Sequence, residues 1–561
     1  MKNKPLSIAL LTVMSFGVVF QSTAAQLPSI EKHEKKFKGM EAHLSFSWDK
    51  PGPSSPILHR GSARGAGMVQ GSLDEIDGSM DKFISDGVMP GAVVFVARRG
   101  NIVKQDAYGY AYKYEDDQMK ESATPVKMQH DTIFDLASIS KIFTTTAIMK
   151  LYDQGFFKLD DPVAKYIPEF AQNGKENVTI RQLLTHTSGF PAWISLYTMG
   201  KNREDRMGIV FKEPLKNHPG STYTYSDLNM ITLGALIELF SGVRQDVFVK
   251  EQITEPLKMN DTMYNPPESL KDRVVATEYQ PWTNRGIVRG EVHDENAWAM
   301  DGVAGHAGVF STAGDLAKLA HMYLNDGRYG SVRILESETV RMLVRNQIPE
   351  FPGNDHGLGW ELGQSWFMDA LSEGSTLGHT GYTGTSIVVN RNNDTIAILL
   401  TNRLHPTRKT VSTNIARRDF ARKVADSIPV SIPDKGTAWF SGYGDRLART
   451  LTASVSLQKP AVLSFDTWYR MEAQADFGAV EVSEDGEKWT GASYMLTGSS
   501  IGWENIKIPI PANTKHIRFN YKTDSSANGR GWYLDHMLLK EEGGKFTVPK
   551  FTGEDWKQRE Y

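Results

Sequence analysis

The chain has 561 residues, 40% of them hydrophobic and 23% charged, with a formal net charge of −3. That length exceeds one ordinary core and predicts at least two domains. The near-balanced charge, with no zinc-finger or RNA-binding signature, argues against nucleic acid as a partner. The absence of cysteine excludes disulfides, thiol catalysis and cysteine-based metal sites.

The chain opens with a basic start (Lys2, Lys4), an apolar stretch and a small-residue end at Thr23-Ala24-Ala25. This is the pattern of a secretory signal removed after Ala25, residues 1–25. It predicts an exported protein, secreted, periplasmic or associated with the cell wall, with no transmembrane anchor after cleavage. Residues 26–71 are polar and Gly/Pro-rich and read as an arm or linker. A helix follows, with Ser72 and Glu75 spaced as a capping box. "GAVVFVARRGNIVKQDAYGYA" (91–111) reads as a hairpin. "FDLASISKIFTTTAIMKLYDQG", which begins at Phe134, has apolar residues at helical spacing on nearly every side, so the helix is predicted to be buried.

Helices and loops dominate from 160 to 360. "TIRQLLTHTSG" and "YSDLNMITLGALIELFSG" are predicted to end at glycine, where a left-handed cap is wanted. "TGTSIVVNRNNDTIAILLTNR" reads as two strands and "NIARRDFARKVADSI" as a closing helix. Strands at both ends with helices between predict an α+β domain over 72–428: an antiparallel sheet flanked by helices, plus an all-helical region. Residues 429–435 read as a linker, 436–542 as a β-sandwich of short alternating strands, and 543–561 as a tail. On this reading the first domain would fold without the second.

Lys141 three residues after Ser138 puts both on one helix face, one turn apart. A serine hydroxyl is a poor nucleophile until a neighbour accepts its proton, and a buried lysine whose charged form is disfavoured can do so. A serine at a helix start also meets free backbone N–H groups. The spacing alone is common, and a surface serine beside a snorkelling lysine would be spelled the same way. Two more elements add weight. Tyr225, beside Ser226 and Asp227 after a Pro219-Gly220 turn, can relay protons if a cation lies near it. His379-Thr380-Gly381, read as the beginning of a strand, offers an edge along which a substrate backbone can lie, and the Tyr382 N–H can complete an oxyanion hole.

Ser138-Ile-Ser-Lys141, Tyr225-Ser-Asp227 and His379-Thr-Gly381, in this order, resemble the active-site set of the serine β-lactamase and penicillin-binding protein superfamily. The nearest branch is the class C-like one, with D-alanyl-D-alanine carboxypeptidases, D-aminopeptidases and esterases. The resemblance spans about 72–428 and includes "IRQLLTHTSGFP" and "GHAGVFSTAGDLAKL". It implies Ser138 as the acylated nucleophile, Lys141 and Tyr225 as the proton-transfer system, and the N–H groups of Ser138 and Tyr382 as the oxyanion hole. His379 would face the substrate carboxylate and the tyrosine, with Thr380, Gly381 and Asp227 on the substrate side. Two positions depart from the pattern: histidine for the usual strand lysine, and Asp227 for the usual asparagine. An aspartate there can instead pair with Lys141 and hold it charged. Both count against an efficient β-lactamase.

"GSSIG" (498–502) spells a nucleophile elbow around Ser500, but in strand-rich surroundings. His306 with "VHDENA" lacks metal-site spacing and reads as loop-fixing, and His186 as structural. The C-terminal module resembles the jelly-roll domain of immune-inhibitor-A type secreted proteases, with Glu472, Asp476 and Asp535 as candidates for a structural calcium; no other cofactor is expected. The reading is an exported acyl-serine hydrolase whose substrates are peptidoglycan fragments, small peptides or esters, with β-lactams as acylating ligands. The alternatives are a β-lactamase, or a non-catalytic penicillin- or wall-binding protein.

Overall fold

A computed structural model describes residues 54–561; the signal segment and most of the arm lie outside the described residues. Eight strands form the main sheet: β1 (His59–Arg60), β2 (Gly91–Arg98), β3 (Asn101–Tyr114), β4 (Glu121–Lys127), β5 (Glu361–Leu362), β6 (Leu377–Thr380), β7 (Ser386–Asn390) and β8 (Thr395–Thr401). Their order is β1-β3-β2-β8-β7-β6-β5, with β4 paired to β3; only β1 runs parallel to its neighbour. The hairpin, the two later strands and their antiparallel pairing follow the sequence reading.

The central strands β2, β7 and β8 are buried on both faces. All eight residues of β2 are buried. Val93, Phe95 and Ala97 enter one core with the helical region, and Ala92, Val94 and Val96 enter the other. Strand alternation assigns them so. Against the second face pack α1 (Gln70–Ser85) and α5 (Asn414–Asp426). Against the first lie α2 (Ser140–Asp153), α3 (Asp227–Ser241) and α4 (Ala313–Leu324). The helix α2 is buried on almost every side, and two of its three threonines are satisfied: Thr144 Oγ1 donates to Gly305 O at 2.7 Å and Thr146 Oγ1 to Ile142 O at 2.7 Å. At the end of α3, Gly242 takes the left-handed cap (φ 72°). The helix predicted in "TIRQLLTHTSG" is only five residues, Ile180–Leu184, and ends before Gly189.

Residues 438–559 form two antiparallel sheets around one core that holds Phe465, Phe519 and Trp532. The first contains β9 (Ala438–Phe440), β11 (Ala461–Arg470), β14 (Glu504–Ile510), β16 (Gly531–Glu541), β17 (Phe546–Thr547) and β18 (Lys557–Arg559). The second contains β10 (Ala448–Ser454), β12 (Phe477–Ser483), β13 (Thr490–Leu496) and β15 (His516–Lys522).

Four expectations are corrected. Residues 59–68 are not a free arm: β1 joins the sheet, and Ala63, Ala66 and Met68 are buried. The capping box does not form; α1 starts at Gln70, and Ser72 Oγ donates to Asp426 Oδ2 at 3.1 Å, so a tertiary partner takes the hydroxyl. The tail is part of the sandwich, with Phe551 and Trp556 in its core. The linker is not a free hinge, because Val430 and Ile432 are buried in a core that Phe440, Trp468 and Tyr533 share with α1 and α5.

Polar contacts reinforce this junction. Arg470 pairs with Glu373 at 3.1 Å, both nearly fully buried. Arg559 pairs with Asp426 at 2.8 Å, and Asp445 with Arg418 at 2.6 Å. A fragment ending at Ile428 would expose the apolar junction and remove both arginines. We expect it to aggregate or melt well below the full chain. Size-exclusion chromatography with thermal unfolding checks this, and a monomeric, active fragment as stable as the full chain would contradict it.

Candidate active site

Ser138 lies in a 3-10 turn (Ala137–Ile139) that leads into α2. Asp135 fixes the approach. Its Oδ1 accepts from Ala137 N–H at 2.8 Å and its Oδ2 from His293 N–H at 2.7 Å. Thr383 and Thr385 hydroxyls donate to the carbonyls of Asp135 and Leu136. These ties hold Ala137 at φ 47°, a left-handed conformation uncommon for alanine, immediately before the serine.

One turn on, Lys141 is buried. Its Nζ donates to Ser138 Oγ at 2.9 Å and to His306 O at 3.3 Å, and pairs with Asp227 Oδ1 at 2.9 Å. All three ammonium N–H groups are thereby directed. Burial alone would depress the lysine pKa, but the Asp227 carboxylate and Tyr225 outweigh it and raise it above the ordinary value. Of the two states the sequence left open for Lys141, a free base that takes the serine proton or an ammonium held by Asp227, the 2.9 Å pairing favours the ammonium.

Tyr225 is half-buried at the cavity wall, with Lys141 Nζ 4.8 Å from its ring centroid, and its hydroxyl faces both Ser138 and Lys141. Burial raises its pKa, Lys141 opposes this, and Asp227 adds to it; the net shift is upward, so the phenol is protonated at neutral pH. His186 anchors the preceding turn, its Nδ1 accepting from Ser226 N–H at 3.1 Å, and its ring lies 4.7 Å from that of Tyr225. That is the structural role read for it.

His379 sits in β6, which ends at Thr380 rather than beginning there. Its Nδ1 lies 2.8 Å from Thr380 O, and its ring packs 6.0 Å from that of Tyr225. Burial first, then Lys141, push its pKa down to about 3, so it is neutral. A cavity of about 400 Å³ opens at Ser138, walled by Tyr225, Thr380, Gly381 and Tyr382, but not by His379 or Asp227. The substrate-facing placement of both is corrected, while the contact of His379 with Tyr225 and the pairing of Asp227 with Lys141, also read from the sequence, are present. His379 supports Tyr225 from behind, and Asp227 faces Lys141 rather than substrate. Beyond Gly378 the outer edge of β6 has no ladder partner among the described residues, because β5 pairs only with Leu377 and Gly378. Gly381 N–H is tied to Thr385 O at 2.8 Å, and the next residue, Tyr382, lines the cavity.

The match to the β-lactamase family model spans residues 75–422. The chain belongs to the β-lactamase family. It is 34% identical over 398 residues to an Escherichia coli K12 protein named "Putative D-alanyl-D-alanine carboxypeptidase", covering 64% of this chain and 89% of that one. It is 32% identical over 364 residues to a Bacillus subtilis protein named N-acetylmuramyl-L-alanine amidase, covering 59% and 81%. Among solved structures, the hydrolase EstCE1, which has promiscuous acyltransferase activity, superposes with a TM-score of 0.51 at 22% identity, over 64% of this chain and 99% of that one.

This β-lactamase-family site also contains residues the sequence reading missed. Arg403, Arg417, Glu361, Tyr223, Trp366 and Asn414 line the same cavity. Arg417 donates to Gly381 O at 2.8 Å and Thr385 O at 2.9 Å, so α5 braces the turn that carries Tyr382. A cation on the inward side of an otherwise amphipathic helix was the one available signal.

The remaining candidates lie elsewhere. Ser500 Oγ accepts from Tyr469 N–H and donates to Tyr469 O, and among the described residues no base is bonded to it. His306 Nε2 lies 2.8 Å from Asp294 Oδ1, which also accepts from Ala297 N–H and so fixes the loop. In the sandwich, Glu472 and Asp476 gather with Asp524, not with Asp535. Asp535 sits by His536, which bonds Asp466. Both Asp476 oxygens accept backbone N–H groups, from Asp524 and Glu472, which ties two loops together.

Proposed function

We propose that the protein is an exported serine hydrolase that forms an acyl-enzyme on Ser138 and acts on D-amino-acid peptides of peptidoglycan type or on related esters. The observation that carries this reading is the Lys141 ammonium, 2.9 Å from both Ser138 Oγ and Asp227 Oδ1 at the head of a buried helix. The printed names of the carboxypeptidase and amidase relatives support the substrate class, and the N-terminal pattern supports export.

In this mechanism Lys141 passes one proton to Asp227 as it takes the proton of Ser138. The serine oxygen then bonds to the substrate carbonyl carbon. The N–H groups of Ser138 and Tyr382 stabilise the oxyanion. As the tetrahedral species collapses, the bond to the leaving group breaks and Tyr225 gives that group its proton. The proton held on Asp227 returns through Lys141 to Tyr225, which restores the resting charges. Water then attacks the ester carbonyl and the same groups run in reverse, releasing the acid and freeing Ser138.

The protonated Tyr225 is a weak base for the water that must deacylate an opened β-lactam. We expect kcat/KM for a chromogenic cephalosporin to fall at least ~100-fold below that for a p-nitrophenyl ester on one preparation. Comparable values would contradict the reading, and no turnover of esters or D-alanyl peptides would favour a binding protein instead.

A further inference from the structure

We propose that Glu361 is a specificity determinant: it receives a primary ammonium group of the substrate, beside the scissile bond attacked by Ser138. The inference rests on the hydrolase reading above and names a feature its substrate must carry.

Strand alternation positions the residue. Trp360 and Leu362 point into the core beneath the sheet, so Glu361 between them faces the other way, onto the wall of the Ser138 cavity. Its side chain makes no hydrogen bond or ion pair among the described residues, and its Oε2 is buried without a partner. An unpartnered buried carboxyl is costly to keep unless something binds it. The nearby cations do not fill that role. Arg417 Nη1 donates to Asn414 Oδ1 and Nη2 to Gly381 O and Thr385 O, so it acts on Glu361 through charge and not through a hydrogen bond, and the Lys141 ammonium is committed to Ser138, Asp227 and His306. Burial pushes the Glu361 pKa up to about 7, and an arriving ammonium would reverse that shift by favouring the ionised form. With Arg403 on the same wall, the cavity presents an acid and a guanidinium group. A zwitterionic amino acid or peptide matches that set, whereas a neutral ester uses none of it.

The ammonium could be the α-amine of the acyl residue or the side-chain amine of the residue before it. Two substrate pairs separate these sources: D-alanine p-nitroanilide against its N-acetyl form, and Nα-acetyl-L-Lys-D-Ala-D-Ala against its Nε-acetyl form. The full chain, wild type and Glu361→Gln, is assayed with active sites counted by fluorophosphonate labelling. We expect wild type to prefer the free amine about 10- to 100-fold in kcat/KM in one pair, which names the source. Glu361→Gln should bring that ratio close to one. Equal wild-type rates within both pairs would overturn the proposal, and so would a preference that survives in Glu361→Gln. Turnover of none of the four, with no adduct on Ser138, would overturn the hydrolase reading itself.

Discussion

Ser138→Ala is expected to abolish covalent labelling by fluorophosphonate or β-lactam probes and to lower ester kcat/KM by ~10⁴-fold or more. Removing the nucleophile leaves only binding and the oxyanion donors, which cannot form a covalent intermediate. Ser500→Ala should leave labelling and turnover per labelled site intact, because Ser500 is engaged with both backbone groups of Tyr469 and has no base bonded to it among the described residues. Labelling that follows Ser500, or that survives in Ser138→Ala, would remove the assignment.

The elements that carry the site were legible where local pattern decides structure. The 91–111 hairpin, the buried helix after Ser138 and the Gly242 cap were visible because periodicity and a left-handed glycine are local signals. The 59–68 segment and the 543–561 tail were not. Their apolar residues are sparse, and each is buried only by a partner far along the chain. The motif residues Ser138, Lys141 and Tyr225 were found by spacing. The pairing of Asp227 with Lys141 was open only as an alternative and the withdrawal of His379 from the cavity was not visible at all, because a helix-start residue's neighbour is set by tertiary packing and a strand residue's by sheet register. Glu361 and Arg417 gave almost no sequence signal, since each is a single charge on an element read only for its apolar pattern.

The second large effect falls on Asp227. The Lys141 side chain is 1% exposed and that of Asp227 is 17%. Asp227→Ala strands a buried ammonium, a change that costs about 3–5 kcal/mol. The pH dependence follows from the sign of the shift. In wild type the Lys141 pKa is raised above its unfolded value of ~10.4. The pair's contribution is therefore fully present below that pH and is lost only as pH rises through the folded pKa. In Asp227→Ala, burial is no longer opposed by the carboxylate, so the lysine pKa falls below the unfolded value. The unfolded chain then binds more protons between the two values, and the variant regains stability as pH rises. Melting temperatures at pH 6, 8 and 10 should show the gap to wild type narrowing upward. A gap that is constant or widens with pH would count against the ion pair as the cause.

The measurement that bears most directly on the mechanism is the acylation rate of Ser138 across pH 6–10, by stopped flow with a p-nitrophenyl ester, in wild type and Asp227→Asn. With Lys141 held charged and Asp227 taking the proton, wild type should show a flat alkaline limb. Asp227→Asn should acylate ~10²-fold more slowly at pH 6, where Lys141 is charged without an acceptor behind it. Its rate should climb with pH as the unpaired lysine loses its proton and becomes the base itself. If wild type shows the same alkaline climb, or if the two profiles coincide, Lys141 acts as a free base in both and the Asp227 relay is wrong.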